Sequence, residues 1–278
     1  MINIDSSNKK ILFIGCGKMG GAIIKNLLSN GFEYNQFIIL KPSKSNMITG
    51  IKYISSYDQL PKSYQADIVV FGFKPQVARE ILMDFAIHKP FSSNTIFTSI
   101  LAGKKTSFFE EILGEKAKVV RIMPNLPTLI NEGIFGYYLN HNINKLEAES
   151  LTQFLNGVGK NIALEKEELI NKVTAISGSG PAYLFLFAQY MIESAIELGI
   201  DKELAKQLVS QTIYGSAKMV LNSDDDAVDL IKSVASKGGT TQAALDVLQK
   251  NGDFKEIISN STKAAHKRSI DLSQQDLK

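Results

Sequence analysis

Apolar residues arrive along this chain in two rhythms, and the change between them falls near Glu165. Before it, short unbroken apolar runs alternate with amphipathic stretches. Residues 11–14, 36–40, 51–54, 68–73, 95–100, 117–123, 134–139 and 161–164 have the length and residue types of buried strands. Between them, Ala22, Ile23, Leu27 and Leu28 recur at helical spacing and stop at Gly31. Val77, Ile81, Leu82 and Phe85 give a second helix its apolar face, and residues 106–113 and 146–155 read as two more. This alternation predicts an α/β fold, a doubly wound parallel sheet over residues 1–164. Beyond Glu165 the strand patterns vanish. Residues 182–198, 202–221, a stretch capped by Asp224–Asp226, a stretch ending at Leu248, and 254–272 all read as helices. Residues 165–278 therefore predict an all-helical second domain, with Gly178-Ser179-Gly180-Pro181 as a chain break before its longest apolar helix.

The first strand runs directly into Gly15, Gly17 and Gly20, in G-x-G-x-x-G spacing, with Lys18 and Met19 between the last two. Gly15 permits a tight turn, Gly17 lets backbone approach a pyrophosphate, and Gly20 lets the following helix pack on the strand. The helix start adds unpaired N–H groups and a positive dipole end. A strand before and a helix after are the context that marks this spacing as a dinucleotide site rather than a structural turn.

The end of the second strand refines that picture. An acidic residue there would bond the ribose hydroxyls of NADH; this chain instead has Lys41-Pro42-Ser43-Lys44. Two ammonium groups and a hydroxyl suit a 2′-phosphate, which favours NADPH over NADH; a solvated basic turn would look the same. Lys74-Pro75 and Pro124-Asn125 also follow strands, where open α/β sheets bind ligands. In the helical half, Ser236-Lys237-Gly238-Gly239-Thr240-Thr241 leads into a helix. Its glycines and hydroxyls form a nest for a carboxylate, the alternative being a plain N-cap by Thr240 or Thr241.

Composition mainly excludes. The chain has 278 residues, 44% hydrophobic and 21% charged, with a formal net charge of +3. Its scattered basic residues give no nucleic-acid footprint. Residues 182–196 are interrupted by Gln189 and Glu193, too short and polar for a membrane span, and the first ten residues lack the apolar core of a secretory signal. A lone Cys16 suits a reducing, cytoplasmic compartment and a structural role in its turn. His88, His141 and His266 lack metal-ligand spacing. No Ser-His-Asp set or carboxylate pair stands beside the two glycine loops. A nucleotide site with a small-anion site and no evident base suits hydride transfer, where the cofactor carries the chemistry.

The segments IGCGKMGGAI, FGFKPQ, SILAG, VVRIMPNLPTLINEG, ISGSGPAY and VASKGGTTQAAL stand in this order along nearly the whole chain. Together they resemble the pyrroline-5-carboxylate reductase family. The resemblance implies reduction of 1-pyrroline-5-carboxylate to L-proline by NADPH or NADH. It implies an N-terminal Rossmann domain and a helical domain that makes a homo-oligomer by interleaving long helices, with Tyr183 on the interface helix. It places the substrate carboxylate on the backbone of Ser236, Gly238, Gly239, Thr240 and Thr241, with the Thr241 hydroxyl near the ring nitrogen as an orienter. It places Pro124-Asn125 beside the nicotinamide and Lys74-Pro75 beside the cofactor. On this reading the two glycine turns serve one active site. Two departures stand out: Lys237 where the family usually has proline, and Gly72-Phe73 where it has a small-aliphatic pair. Two other readings compete: another reductase of the same architecture, such as a β-hydroxyacid dehydrogenase or an enzyme acting on a different cyclic imine, and, in a different class, a nucleotide sensor. A β-hydroxyacid dehydrogenase needs a lysine with a following Asn at helical spacing, and Lys172 has none. A non-catalytic nucleotide sensor predicts a damaged substrate loop, and this one departs only at Lys237.

Overall fold

The computed structural model describes residues 9–42 and 48–274. Its sheet grows outward from β1 (Ile11–Ile14), which is buried at every residue. Parallel partners flank it, β2 (Phe37–Leu40) on one side and β4 (Ala66–Phe71) on the other. With β3 (Lys52–Ile54), β5 (Phe91–Ser99), β6 (Lys118–Met123), β7 (Ile134–Leu139) and β8 (Lys160–Ala163), the order is β3-β2-β1-β4-β5-β6-β7-β8. The strands β1 to β6 are parallel; β7 runs antiparallel to β6, and β8 follows β7. Strand order reverses between β1 and β4, the switch point beyond which such sheets open a ligand crevice.

Both sheet faces are covered, which is why the strands read as unbroken apolar runs. Ile11 and Phe13 pack on one face with Ile23, Leu27 and Phe154 from α1 (Lys18–Ser29) and α4 (Lys145–Val158). Leu12 and Ile14 face the other way, with Leu82, Phe85 and Phe109 from α2 (Ala78–His88) and α3 (Thr106–Leu113). Phe71 anchors that second layer, its ring centroid 5.5 Å from Phe85 and 5.4 Å from Phe109. The sequence ended the strand before Lys74 at residue 73, but β4 stops at Phe71: the Gly72 N–H makes the last ladder bond, to the Ile14 carbonyl at 3.0 Å, and beyond it β1 has already turned away at Gly15.

One buried amide ties the first layer together. Asn26 on α1 donates through Nδ2 to the carbonyls of Thr128 and Val158, each at 3.1 Å. Asn26→Leu keeps the volume but leaves two buried carbonyls without that donor. We expect a loss of about 2 kcal/mol in a denaturant melt; an unchanged midpoint would show that water replaces the amide.

After β8 come α5 (Leu169–Val173) and a π-helical turn, Thr174–Gly178. The chain break predicted at residues 178–181 is therefore not a break. Ser179 keeps right-handed helical angles, its N–H reaches back to the Thr174 carbonyl at 2.8 Å, and α6 (Gly180–Glu197) starts at once. Pro181 cannot donate in the helix, and a wider turn just upstream absorbs the misfit.

Among the described residues the chain separates into two compact units. One takes the chain up to Ser179 and again from Ala265 onward; the other is Gly180–Ala264. The units divide at Ser179 and Gly180 rather than at the 164/165 boundary read from composition, which marks where strands end. Residues 165–179 stay with the sheet because Ile170 and Ala175 are buried there. Asn171 Oδ1 also accepts from the Ser269 and Ser273 hydroxyls at 2.9 and 3.2 Å, which holds the end of α10 (Asp253–Gln274) to the same unit.

The second unit holds α6, α7 (Lys202–Asn222), α8 (Ala227–Val234), α9 (Thr240–Leu248) and the first part of α10. Asp201 caps α7 by accepting from the N–H groups of Glu203 and Leu204. Asp226 occupies the N-cap of α8 but makes no side-chain cap hydrogen bond, so the predicted acidic cap is positional only. Ala205 and Val209 are the only buried apolar side chains among its described residues. No described helix is long and apolar enough to cross a membrane.

Candidate active site

The carboxyl ends of β1, β2 and β3 are laced together by backbone hydrogen bonds. Gly15 N–H donates to the Leu40 carbonyl at 2.9 Å, and Lys41 N–H to Ile54 at 2.9 Å. Gly15 sits at φ +74°, where a Cβ would lie 3.0 Å from Phe73 Cβ and 3.2 Å from the Gly72 backbone. Gly72 is equally constrained, since its Cβ would lie 3.0 Å from the Gly15 carbonyl oxygen. The unusual Gly72-Phe73 pair thus lets two turns touch.

Gly17 is the N-cap of α1, without a side-chain cap and without an acidic residue in the first turn. A Cβ there would meet nothing within 4 Å, so the helix start faces open space. Lys18 is exposed, Met19 packs half-buried on the core, and Gly20 is buried with room for a Cβ only at 3.4 Å from Cys16 Sγ. These features fit a pyrophosphate: a backbone turn open to a ligand, at a positive helix end. Burial pushes the Cys16 thiol pKa up, although the Lys41 charge pulls it down, which suits a packing role. Lys41 follows β2, as the sequence places it. Ser43 and Lys44 lie outside the described residues.

Lys74 is exposed at the N-cap of a 3₁₀ turn, Pro75–Val77, with Pro75 in its first position. Asn125, beyond β6, is buried at the N-cap position of a second 3₁₀ turn, Leu126–Ile130, without a side-chain cap bond. Its Oδ1 accepts from Ile134 N–H at 3.1 Å, and its Nδ2 donates to no described residue. Gly15, Gly17, Lys18, Met19, Gly20, Lys41, Lys74, Pro75 and Asn125 therefore gather along one end of the sheet, on both sides of the switch point.

In the helical unit, Gly238 takes φ +75° and Gly239 forms the N-cap of α9, its N–H donating to the Ser236 carbonyl at 2.9 Å. A Cβ on Gly239 would lie 2.5 Å from Ser236 Oγ and 3.1 Å from its carbonyl oxygen, so a larger residue there would force the Ser236 hydroxyl to turn away. The plain-cap alternative fails here: the cap is glycine, and Thr240 and Thr241 are the first helical residues. Thr241 lines a cavity of about 310 Å³ with Ser216, Met219, Val220, Ile231 and Leu245. Lys237 is exposed.

Sequence reasoning missed one feature of the sheet unit. Arg121 on β6 is buried, and its Nη1 donates to Glu167 Oε1 at 2.9 Å. Burial pushes the guanidinium pKa down, against the pull of Glu167. An arginine inside an apolar strand signals a buried charge in need of a carboxylate. Which carboxylate, 46 residues on, was not readable.

Comparison with known proteins fits this arrangement. A family model for pyrroline-5-carboxylate reductase dimerisation matches residues 167–272, and one for NADP oxidoreductase, coenzyme F420-dependent, matches residues 10–103. The pyrroline-5-carboxylate reductase of Pseudomonas aeruginosa is 35% identical over 97% of this chain and 98% of its own. The crystal structure of Plasmodium falciparum pyrroline carboxylate reductase with NADP bound has 33% identity and a TM-score of 0.85, covering 97% of this chain and all of that one. The Coxiella burnetii pyrroline-5-carboxylate reductase structure has 31% identity and a TM-score of 0.85, over 95% and 98% of the two chains. The chain belongs to the pyrroline-5-carboxylate reductase family.

Proposed function

We propose that this chain reduces 1-pyrroline-5-carboxylate to L-proline, with NADPH as the preferred hydride donor and NADH as a poorer one. The observation that carries the substrate is the glycine-capped start of α9, with its two threonines and no acidic residue in the first turn. The sheet unit holds the cofactor and the helical unit the substrate.

When bound, the reduced nicotinamide supplies a hydride to the C=N carbon. The protein's own residues hold and orient. Gly17 and the first turn of α1 carry the pyrophosphate, Lys41 with Ser43 and Lys44 attracts the 2′-phosphate, and Lys74-Pro75 and Asn125 border the nicotinamide end. Ser236, Gly239 and Thr240 hold the carboxylate through the loop backbone. The Thr241 hydroxyl hydrogen-bonds the ring nitrogen, which takes its proton from water before binding, since a hydroxyl is a poor acid near neutral pH. One proton and one hydride would enter the imine to give the amine. Orientation supplies much of the rate.

Steady-state loss of reduced-nicotinamide absorbance with 1-pyrroline-5-carboxylate tests the reading, using NADPH and NADH in turn. Turnover with neither would overturn it, and a strong NADH preference would overturn the role given to Lys41. Thr241→Ala is expected to lower kcat/KM by about tenfold or more while NADPH affinity holds. Full retention of kcat/KM would remove Thr241 from the site.

The enzyme acts as a homo-oligomer built on the helical unit, whose apolar faces need a second copy. It works in the cytoplasm, in keeping with its single thiol.

A further inference from the structure

The helix α3 begins without a cap of its own. Lys105 stands at its N-cap and makes no side-chain cap bond, and its first turn has no acidic residue. The cap comes from far along the chain. Glu167 Oε1 accepts from Thr106 N–H at 2.8 Å, and Oε2 accepts from the Thr106 hydroxyl at 3.0 Å. The same carboxylate neutralises Arg121, whose side chain is 4% exposed. A single side chain thus joins the start of α3, strand β6 and the segment that leads into α5.

What those attachments hold matters for the crevice. Thr106 closes the turn that follows β5. At the head of that turn, Ile100 N–H bonds the Phe71 carbonyl at 3.3 Å, and Ile100 Cδ1 lies 3.7 Å from where a Gly72 Cβ would stand. The turn therefore abuts the touching Gly72 and Gly15 turns. Its other side is also filled: Gly103 takes φ +80°, and a Cβ there would lie 3.0 Å from the Leu272 carbonyl oxygen. Arg121 stands four residues before Asn125 on the neighbouring strand. With a pyrophosphate held over α1 and a 2′-phosphate beyond β2, a nicotinamide would lie toward β5 and β6.

We propose that Glu167 is a positioning residue for hydride transfer. By capping α3 and pairing with Arg121 it fixes the turn after β5 against the turn at Asn125, and so sets the nicotinamide end of the crevice without touching cofactor or substrate. This rests on the assignment of the crevice to NADPH. Glu167→Gln can still accept from Thr106 but cannot neutralise Arg121, and a misplacement near 1 Å costs about 100-fold in rate. The expected result is a kcat reduced about tenfold or more. Affinity for adenosine 2′,5′-bisphosphate, which engages only the β1–β2 side, should stay at the wild-type value. A merely structural role would lower the melting temperature and leave kcat per folded molecule alone. Wild-type kcat in Glu167→Gln, or a parallel loss of bisphosphate affinity, overturns the inference while the proposed reaction stands. A wild-type protein without turnover overturns both. If Glu167→Gln does not fold, Thr106→Val removes one of the three bonds. It should lower kcat with bisphosphate affinity intact; an unchanged kcat there also overturns the inference.

Discussion

Gly17→Ala is expected to leave the fold intact and to remove most of the affinity for NADPH. The backbone at Gly17 has φ −84° and ψ −162°, angles any residue adopts, and a Cβ would meet nothing within 4 Å. Alanine is a poorer N-cap than glycine, so the unliganded protein should lose only about 0.5–1 kcal/mol. The methyl group projects into the one space the glycine leaves open, at the helix end where a pyrophosphate must approach the backbone. A tenfold loss of affinity needs only about 1.4 kcal/mol, less than the cost of holding one charged phosphate away from its N–H donors. Thermal melts of the unliganded protein and a fluorescence titration with NADPH separate the two effects. Equal NADPH affinity in the variant would mean that the open start of α1 is not the pyrophosphate site. Gly15→Ala is the informative contrast. With φ +74° and Phe73 Cβ at 3.0 Å, it should damage the fold and the cofactor site together, so its failure to bind would decide nothing.

These two glycines also show why part of this molecule was legible in advance. A sheet covered on both faces leaves each strand as an unbroken apolar run, so Ile11–Ile14 announces itself, and the glycine spacing after it has a mechanical reason at every position. The positions of Lys74 and Asn125 followed because carboxyl ends of strands are fixed once the strands are found. Strand direction was not legible: β7 turns antiparallel to β6, and periodicity carries no sign. Gly178-Ser179-Gly180-Pro181 was misread because its residue types favour a turn, whereas a helix with one extra residue per turn accommodates them. Glu167 was invisible for a different reason. It lies in the polar stretch Glu165–Glu168 where any acidic residue would look solvated, and only folding shows which one reaches Arg121 and Thr106. Local pattern finds the elements; contacts across 46 and 61 residues decide what they do.

The largest effect is expected where contacts would extend beyond the single chain. In the helical unit, α6 has no buried residue in 18. Leu184, Phe185, Leu186, Phe187 and Tyr190 are all exposed, as are Met219, Val220 and Leu221 on α7 and Ile257 and Ile258 on α10. A unit whose buried apolar side chains are Ala205 and Val209 cannot offset the conformational entropy of its own ordering, about 1–2 kcal/mol per residue for the backbone alone. A second copy laid on these faces would supply the missing core. The double variant Phe187→Glu with Tyr190→Glu tests this, because the two residues are 41% and 59% exposed in one chain and share a helix face. On a solvated surface each glutamate would change stability by less than about 0.5 kcal/mol. In an interface core, each buries a charge among apolar side chains and costs several times that. Sedimentation should therefore show wild type as a dimer or larger, and the double variant as a monomer with reduced helicity and no turnover. A loss of about 4 kcal/mol in association corresponds to roughly a thousandfold weaker dimer, enough to empty it at micromolar concentration. If the double variant sediments and melts like wild type, the second copy does not sit on α6, and these helices must find their core elsewhere.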